Sequence, residues 1–289
     1  SVNERPVLLI QYLDGAKELL TIPVTATSAK GDNGLSAPRL VDINGDGTPD
    51  VVYAGDLKGN LWKFDLGAGG VSGSAQWKVA FGGSVPFFTA ARTISPGVST
   101  RQAITTAPIV KASKSPKGLM VAFGTGRNLT ADDRESNNLE SLYSILDKTT
   151  YDLDPTGKFV TPVSTATPAT GLTKLVKQEF EATTVAGSGT NTGKTYWKTT
   201  ANAVNFGAPD NSEGWYIDFK RPRERMLKSF GFYDNSNLLE IFSESPASGG
   251  STSTSEESCD PPSAPNQQYL SIINLFNGKP PSIQIMDSN

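Results

Sequence analysis

Hydrophobic positions along this chain come in short bursts. Runs rich in Val, Ile, Leu, Phe, Tyr and Trp recur between clusters of Gly, Pro, Asn and Asp, while apolar stripes at helical spacing are scarce. The runs predict strands over residues 7–13, 51–54, 61–66, 119–123, 141–146, 214–219, 238–242 and 269–276, and an all-β chain. Several runs end alike. "IQYLDGAKE", "LWKFDLGAGG", "LYSILDKTT" and "IINLFNGKP" each pass from apolar residues into Asp or Asn, as a tight turn after an outer strand requires. These endings, at Asp14, Asp65, Asp147 and Asn277, are unevenly spaced, so strict repeats of ~40–50 residues are excluded unless loops are inserted. Two tracts supply such insertions. "TPVSTATPATG" (161–171) and "SPASGGSTSTSEES" (245–258) are too poor in apolar residues to pack and read as low-complexity surface loops. An irregular β-propeller with loop insertions over 1–289 accommodates this better than a sandwich, because radial stacking leaves few open sheet edges.

Composition removes function classes. With 26 Lys and Arg against 29 Asp and Glu, the formal charge of −3 gives no nucleic-acid footprint. The absence of histidine rules out a Ser-His-Asp triad or a zinc-histidine centre within this chain. Cys259 has no cysteine to pair with inside the chain, so it either pairs with one outside or stands as a surface thiol. No run approaches the ~18–20 apolar residues of a membrane-spanning helix, and a soluble segment is expected. The opening "SVNERPVLLI" lacks an initiator Met and a signal-peptide pattern, and reads as a piece of a processed protein.

The most specific chemistry lies at 42–50, "DINGDGTPD". Asp42, Asn44 and Asp46 occupy alternate positions, Gly47 permits a sharp turn, Thr48 can offer its backbone carbonyl, and Asp50 follows two residues later. This matches the first nine positions of an EF-hand loop, but Tyr53 stands where the bidentate glutamate would be and Pro49 does not suit a following helix. Asp50 replaces the glutamate in a loop-strand site. Three carboxylates, an amide oxygen and a carbonyl suit Ca2+ better than Mg2+, which keeps most of its waters. The alternative is a polar turn without an ion, which leaves three carboxylates facing one another.

These residues carry a family likeness. "GLSAPRLVDINGDGTPDVVYAGDLKGNLWKFDL" (34–66) resembles the calcium-loop segment of the PilY/PilC family of type IV pilus tip-associated proteins. "FGTGRNL" (123–129), "GWYIDF" (214–219), "SCDPP" (258–262) and "YLSIINLFNGKP" (269–280) resemble further elements of its C-terminal propeller. The family's Gly-Glu-Arg turn corresponds here to Arg223, Glu224 and Arg225, a departure at its first position. The resemblance implies part of a ring of about seven blades, incomplete in this chain, with an adhesive N-terminal region and some first blades preceding it. It implies Asp42, Asn44, Asp46, Thr48 and Asp50 as calcium ligands and no catalytic residues. It further implies roles in pilus assembly, in opposing retraction, in twitching motility and in adhesion, with minor pilins or other pilus components, the N-terminal adhesive region and a host or abiotic surface as partners. The implied location is extracellular, at the pilus tip or the outer membrane.

Other features allow two readings. "YAGDLKGNLWKFD" also resembles quinoprotein dehydrogenase blades, but no quinone pocket is supplied, so no enzyme is expected and Trp62 is taken as a blade-packing residue. "KRPRER" (220–225) reads as a solvated hairpin tip or as a site for an acidic partner or lipopolysaccharide. "KGD" (30–32) is an integrin-like tripeptide, so a calcium-dependent propeller that binds a host protein or glycan is the alternative function. The glycines of "FGTGR" serve a turn with positive φ or cradle an anion.

Overall fold

The computed structural model describes residues 5–24, 32–66, 77–95, 97–153, 155, 160–162, 167–169, 171–184, 189–190, 192–247, 265–283 and 285. Cys259, the "SCDPP" segment, Lys30 and Gly31 of the tripeptide, and much of the two low-complexity tracts lie outside the described residues. The chain divides into two compact units, one of residues 1–125 and 145–173, the other of 126–144 and 174–289.

The first unit is built from antiparallel pairs. Val7–Gln11 pairs with Leu19–Pro23, and Arg39–Val41, Val51–Gly55, Asn60–Asp65 and Lys78–Val79 form a sheet in that order. Hairpins of Ala91–Ser95 with Val98–Arg101, and of Ile109–Lys114 with Lys117–Gly124, follow. Register explains the core. Val52 lies opposite Phe64 and Ala54 opposite Trp62, so the pleat puts these four on one face. With Leu8, Ile22, Val24 and Val79 they make one apolar cluster, and Trp62 packs there as expected. Tyr53 lies opposite Lys63 on the other face, which is also buried. A strand covered on both faces shows no polar alternation, as the unbroken run "VVYAG" shows.

In the second unit Leu175–Gln178 runs parallel to Gly214–Asp218, Phe180–Thr184 pairs with Thr195–Thr199, and Gly231–Tyr233, Leu238–Ser245 and Gln267–Asn274 form an antiparallel sheet. One short helix, Ala131–Glu135, starts at a capping box in which Thr130 accepts from the Asp133 amide and Asp133 accepts from the Thr130 amide.

Two of the sequence expectations are sharpened here. In "FGTGR", Gly126 takes φ +138 with Arg225 Cβ only 2.5 Å from where a Cβ would stand, so this glycine serves backbone conformation and close approach. In "KRPRER", Glu224 and Arg225 are buried, so the segment is a solvated tip only in part. Arg223 adopts φ +60, the conformation that glycine takes without penalty. Arg223→Gly is expected to stabilise the fold by about 0.5 kcal/mol, the left-handed strain removed exceeding the extra unfolded-state entropy of glycine. The midpoint of a urea unfolding curve measures it, and an unchanged or lower midpoint refutes the strain argument.

Candidate metal centre and the aspartates around it

Residues 42–50 close the hairpin between Arg39–Val41 and Val51–Gly55. The Asp50 amide donates to the Val41 carbonyl at 2.9 Å and the Asp50 carbonyl accepts from the Leu66 amide at 2.7 Å, so both ends of the loop are tied to the sheet. Gly45 and Gly47 turn the chain at φ +78 and +88 with open space around them, which makes conformation the reason for glycine.

The polar side chains organise the loop from within. Asp42 accepts from the Gly45 amide at 2.6 Å and from the Gly47 amide at 2.7 Å. Asn44 Oδ1 accepts from the Asp46 amide at 3.1 Å, Asp46 from the Thr48 amide at 2.7 Å, and Asp50 from the Ile43 amide at 2.7 Å. A carboxylate has about four acceptor sites, so each acid keeps capacity for another partner. Asp50 is buried, and its pKa is raised, first by that burial and then by the charges of Asp42 and Asp46, against lowering hydrogen bonds from the Ile43 and Asn44 amides. The five residues singled out in the sequence thus share one loop, and their three acids act on one another electrostatically. Among the described residues, however, no three His, Cys, Asp or Glu side chains form a ready-made cage, and Asp42 and Asp46 aim at loop amides.

Two further aspartates were not evident as more than turn residues in the sequence. Asp56 is fully buried and accepts from the side chains of Asn33 (3.0 Å), Asn60 (2.9 Å) and Trp62 (2.8 Å) and from the amides of Lys58 (2.9 Å) and Asn60 (2.8 Å). An Asp followed at three and four positions by Gly and Asn is the signal for this side-chain-closed turn. It fastens the sheet at the end opposite the loop at 42–50. Asp147, expected at the turn after its strand, is the last residue of the strand Ser141–Asp147 and is fully buried. It receives Tyr53 Oη at 2.5 Å, Lys63 Nζ at 2.6 Å, and the Thr149 hydroxyl and amide at 2.6 and 2.9 Å. Lys63 also donates to Thr149 at 2.7 Å and lies over the rings of Tyr151 and Phe81. The alternation of "NLWKFD" points Lys63 away from the apolar cluster without revealing that its face is also covered.

Residues 1–187 match the model of the PilY1 beta-propeller domain. The type IV pilus biogenesis factor PilY1 of Pseudomonas aeruginosa PAO1 is 32% identical over 76% of this chain and 19% of its own length. A PilY1 homolog of Xylella fastidiosa is 37% identical over 40% of the chain and 8% of its own length. The crystal structure of the P. aeruginosa PilY1 C-terminal domain superposes with a TM-score of 0.67 at 28% identity, covering 98% of this chain and 55% of that one. The chain therefore spans less than a fifth of these curated relatives. The match bears out the expectation of a mostly-β, irregular and incomplete propeller. The family match favours this over the quinoprotein reading, since the relatives are named as type IV pilus biogenesis factors. With the family model covering more than half of it, the chain belongs to the PilY1 family.

Proposed function

We propose that residues 1–289 are part of the C-terminal propeller of a type IV pilus biogenesis and tip adhesin protein, and that the loop at 42–50 binds calcium. The likeness to relatives named as type IV pilus biogenesis factors supports the first part. The observation that carries the second is the buried Asp50 carboxylate, raised in pKa by burial and by Asp42 and Asp46. Side-chain oxygens of Asp42, Asn44, Asp46 and Asp50 and the Thr48 carbonyl would hold the ion, an all-oxygen set of the kind that Ca2+ takes. The ion supplies the positive charge that these acids lack. Because the loop joins two paired strands, occupancy would stiffen the hairpin and whatever surface it presents.

In this reading the chain works outside the cell, at the pilus tip or the outer membrane, with minor pilins or other pilus components and the N-terminal adhesive region as partners. It would support assembly, oppose retraction, and contribute to twitching motility and to adhesion to a host or abiotic surface. Among the described residues no helix is long and apolar enough to cross a membrane.

Calorimetric titration of calcium into the wild-type and Asp50→Ala proteins, with melts on both, tests the loop. One saturable site in the wild type, lost in the variant, is expected, with ~2.7 kcal/mol of added stability at a hundredfold excess over Kd. No heat and no melting shift would reduce the loop to a polar turn. The pH dependence has a definite sign. With its folded pKa raised, Asp50 keeps a proton that the unfolded chain has released, so its contribution to metal-free stability is complete below the ordinary carboxylate pKa of 3.8 and is lost as pH rises through the folded value. Asp50→Asn removes this trend from the metal-free protein. For the pilus role, a strain carrying Asp50→Ala should show altered surface piliation, and unchanged piliation would sink regulation by calcium.

A further inference from the structure

The second unit holds an arginine arranged for an anion. Arg221 lies 3.8 Å from the centre of the Tyr269 ring and 5.2 Å from that of Trp197, so two aromatic faces hold its planar guanidinium. Lys220 lies over the same Trp197 ring at 5.6 Å. The nearest acid among the described residues, Glu224, is 3.6 Å from Arg221 Nη1, beyond hydrogen-bond length, and accepts instead from the Arg221 amide and from Ser243. Among the described residues the Arg221 guanidinium therefore makes ring contacts and a long ion pair, and its N–H edges form no hydrogen bond. Such an arrangement loses little side-chain freedom on meeting a planar oxyanion, and the fork of a guanidinium matches a carboxylate at two points.

Arg221 stands in an open cleft of about 610 Å³ whose other walls are two prolines, Pro222 and Pro265, with Arg223, Ser245, Gln267, Gln268 and Tyr269. Amide and hydroxyl groups there outnumber apolar side chains. Gln267 is bound by the Tyr269 hydroxyl at 2.5 Å, which fixes one amide at the rim. A cleft of this lining suits neither an apolar peptide anchor nor the extended basic track of a nucleic acid, and the whole chain is net negative. It suits hydroxyl-rich sugars that carry a carboxylate.

We propose that the Arg221 cleft is a binding site for an acidic, uronate-bearing polysaccharide, with Arg221 holding the carboxylate and the glutamine amides the sugar hydroxyls. The site lies outside the calcium loop and does not depend on it.

The test is calorimetric titration of a galacturonic acid oligomer into the full chain in EDTA, with neutral dextran, polyglutamate and single-stranded DNA of similar length as comparisons. The galacturonate oligomer is expected to bind in the micromolar range and dextran at least ~tenfold more weakly. Arg221→Gln should weaken binding at least tenfold, and Arg221→Lys severalfold although charge is retained, because a lysine is not a fork. Lys220→Gln, on an exposed side chain, should weaken it by a smaller factor and serves if Arg221 variants melt early. Equal affinity for polyglutamate or DNA would replace the glycan with that partner and overturn the proposal. So would the absence of binding, or affinity unchanged in both Arg221→Gln and Lys220→Gln.

Discussion

Asp147→Ala should lower the stability of the first unit by ~3–5 kcal/mol, the penalty for leaving a buried charge without its counter-ion. Lys63, with a side chain only 3% exposed, would keep the Thr149 hydroxyl and the faces of Tyr151 and Phe81 as its remaining partners. Tyr53 would lose the acceptor for a buried hydroxyl. The double replacement Lys63→Met with Asp147→Leu should cost less than Asp147→Ala alone, because a buried ion pair replaced by apolar groups of similar volume is often near neutral. Chemical unfolding of Asp147→Ala measures the loss, and that of the wild type, Lys63→Met, Asp147→Leu and the double variant measures the coupling. Additive losses would show that Lys63 and Asp147 are neighbours without coupling.

The same cluster gives the fold an alkaline limit. Burial raises the pKa of Tyr53 well above 10, with the Asp147 charge adding to it, and burial raises Tyr151 likewise. In the unfolded chain both phenols ionise near 10, so their stabilising contribution is complete below that pH and is lost as pH rises beyond it. Tyr53→Phe should flatten this decline.

How much of this the sequence shows depends on what a residue answers to. Val52, Ala54, Trp62 and Phe64 answer to local alternation, and the loop at 42–50 to local spacing, so both were legible. The eight expected strands are all present, the Val7–Gln11 strand two residues shorter than expected and the Leu238–Ser245 strand three longer. Short edge strands such as Arg39–Val41 and Gly231–Tyr233 carry too few residues for a period to show. Asp147 and Lys63 are separated by 84 positions, and only the folded chain shows that each is the other's partner. Whether an aspartate after an apolar run is a turn or a buried acceptor is a long-range fact. Arg223 shows the reverse case, in which only the folded backbone, at φ +60, reveals that the position suits glycine.

Arg225→Ala should be as damaging in the second unit, by ~3–5 kcal/mol or roughly 10 °C in melting temperature. The guanidinium is buried and donates to the carbonyls of Arg127 at 2.8 Å, Asp133 at 2.5 Å, Ser136 at 2.7 Å and Arg223 at 2.9 Å. Two of these carbonyls belong to the end of the short helix Ala131–Glu135 and its cap, where the negative end of the dipole favours a cation, although the Asp133 carbonyl also accepts from the Ser136 amide at 3.2 Å. A helix of this length does not hold itself together in water, so Arg225 supplies what propagation cannot. Burial lowers the arginine's pKa while Glu140 and Asp133 raise it, and an arginine remains charged through such opposition. Alanine would leave four carbonyls facing a cavity, and lysine, a point donor without the fork, should recover only part of the loss. Hydrogen exchange in residues 126–136 should quicken in both variants, more in alanine than in lysine. Full protection of that segment in Arg225→Ala would mean that the helix is held by its capping box and that the arginine merely fills space.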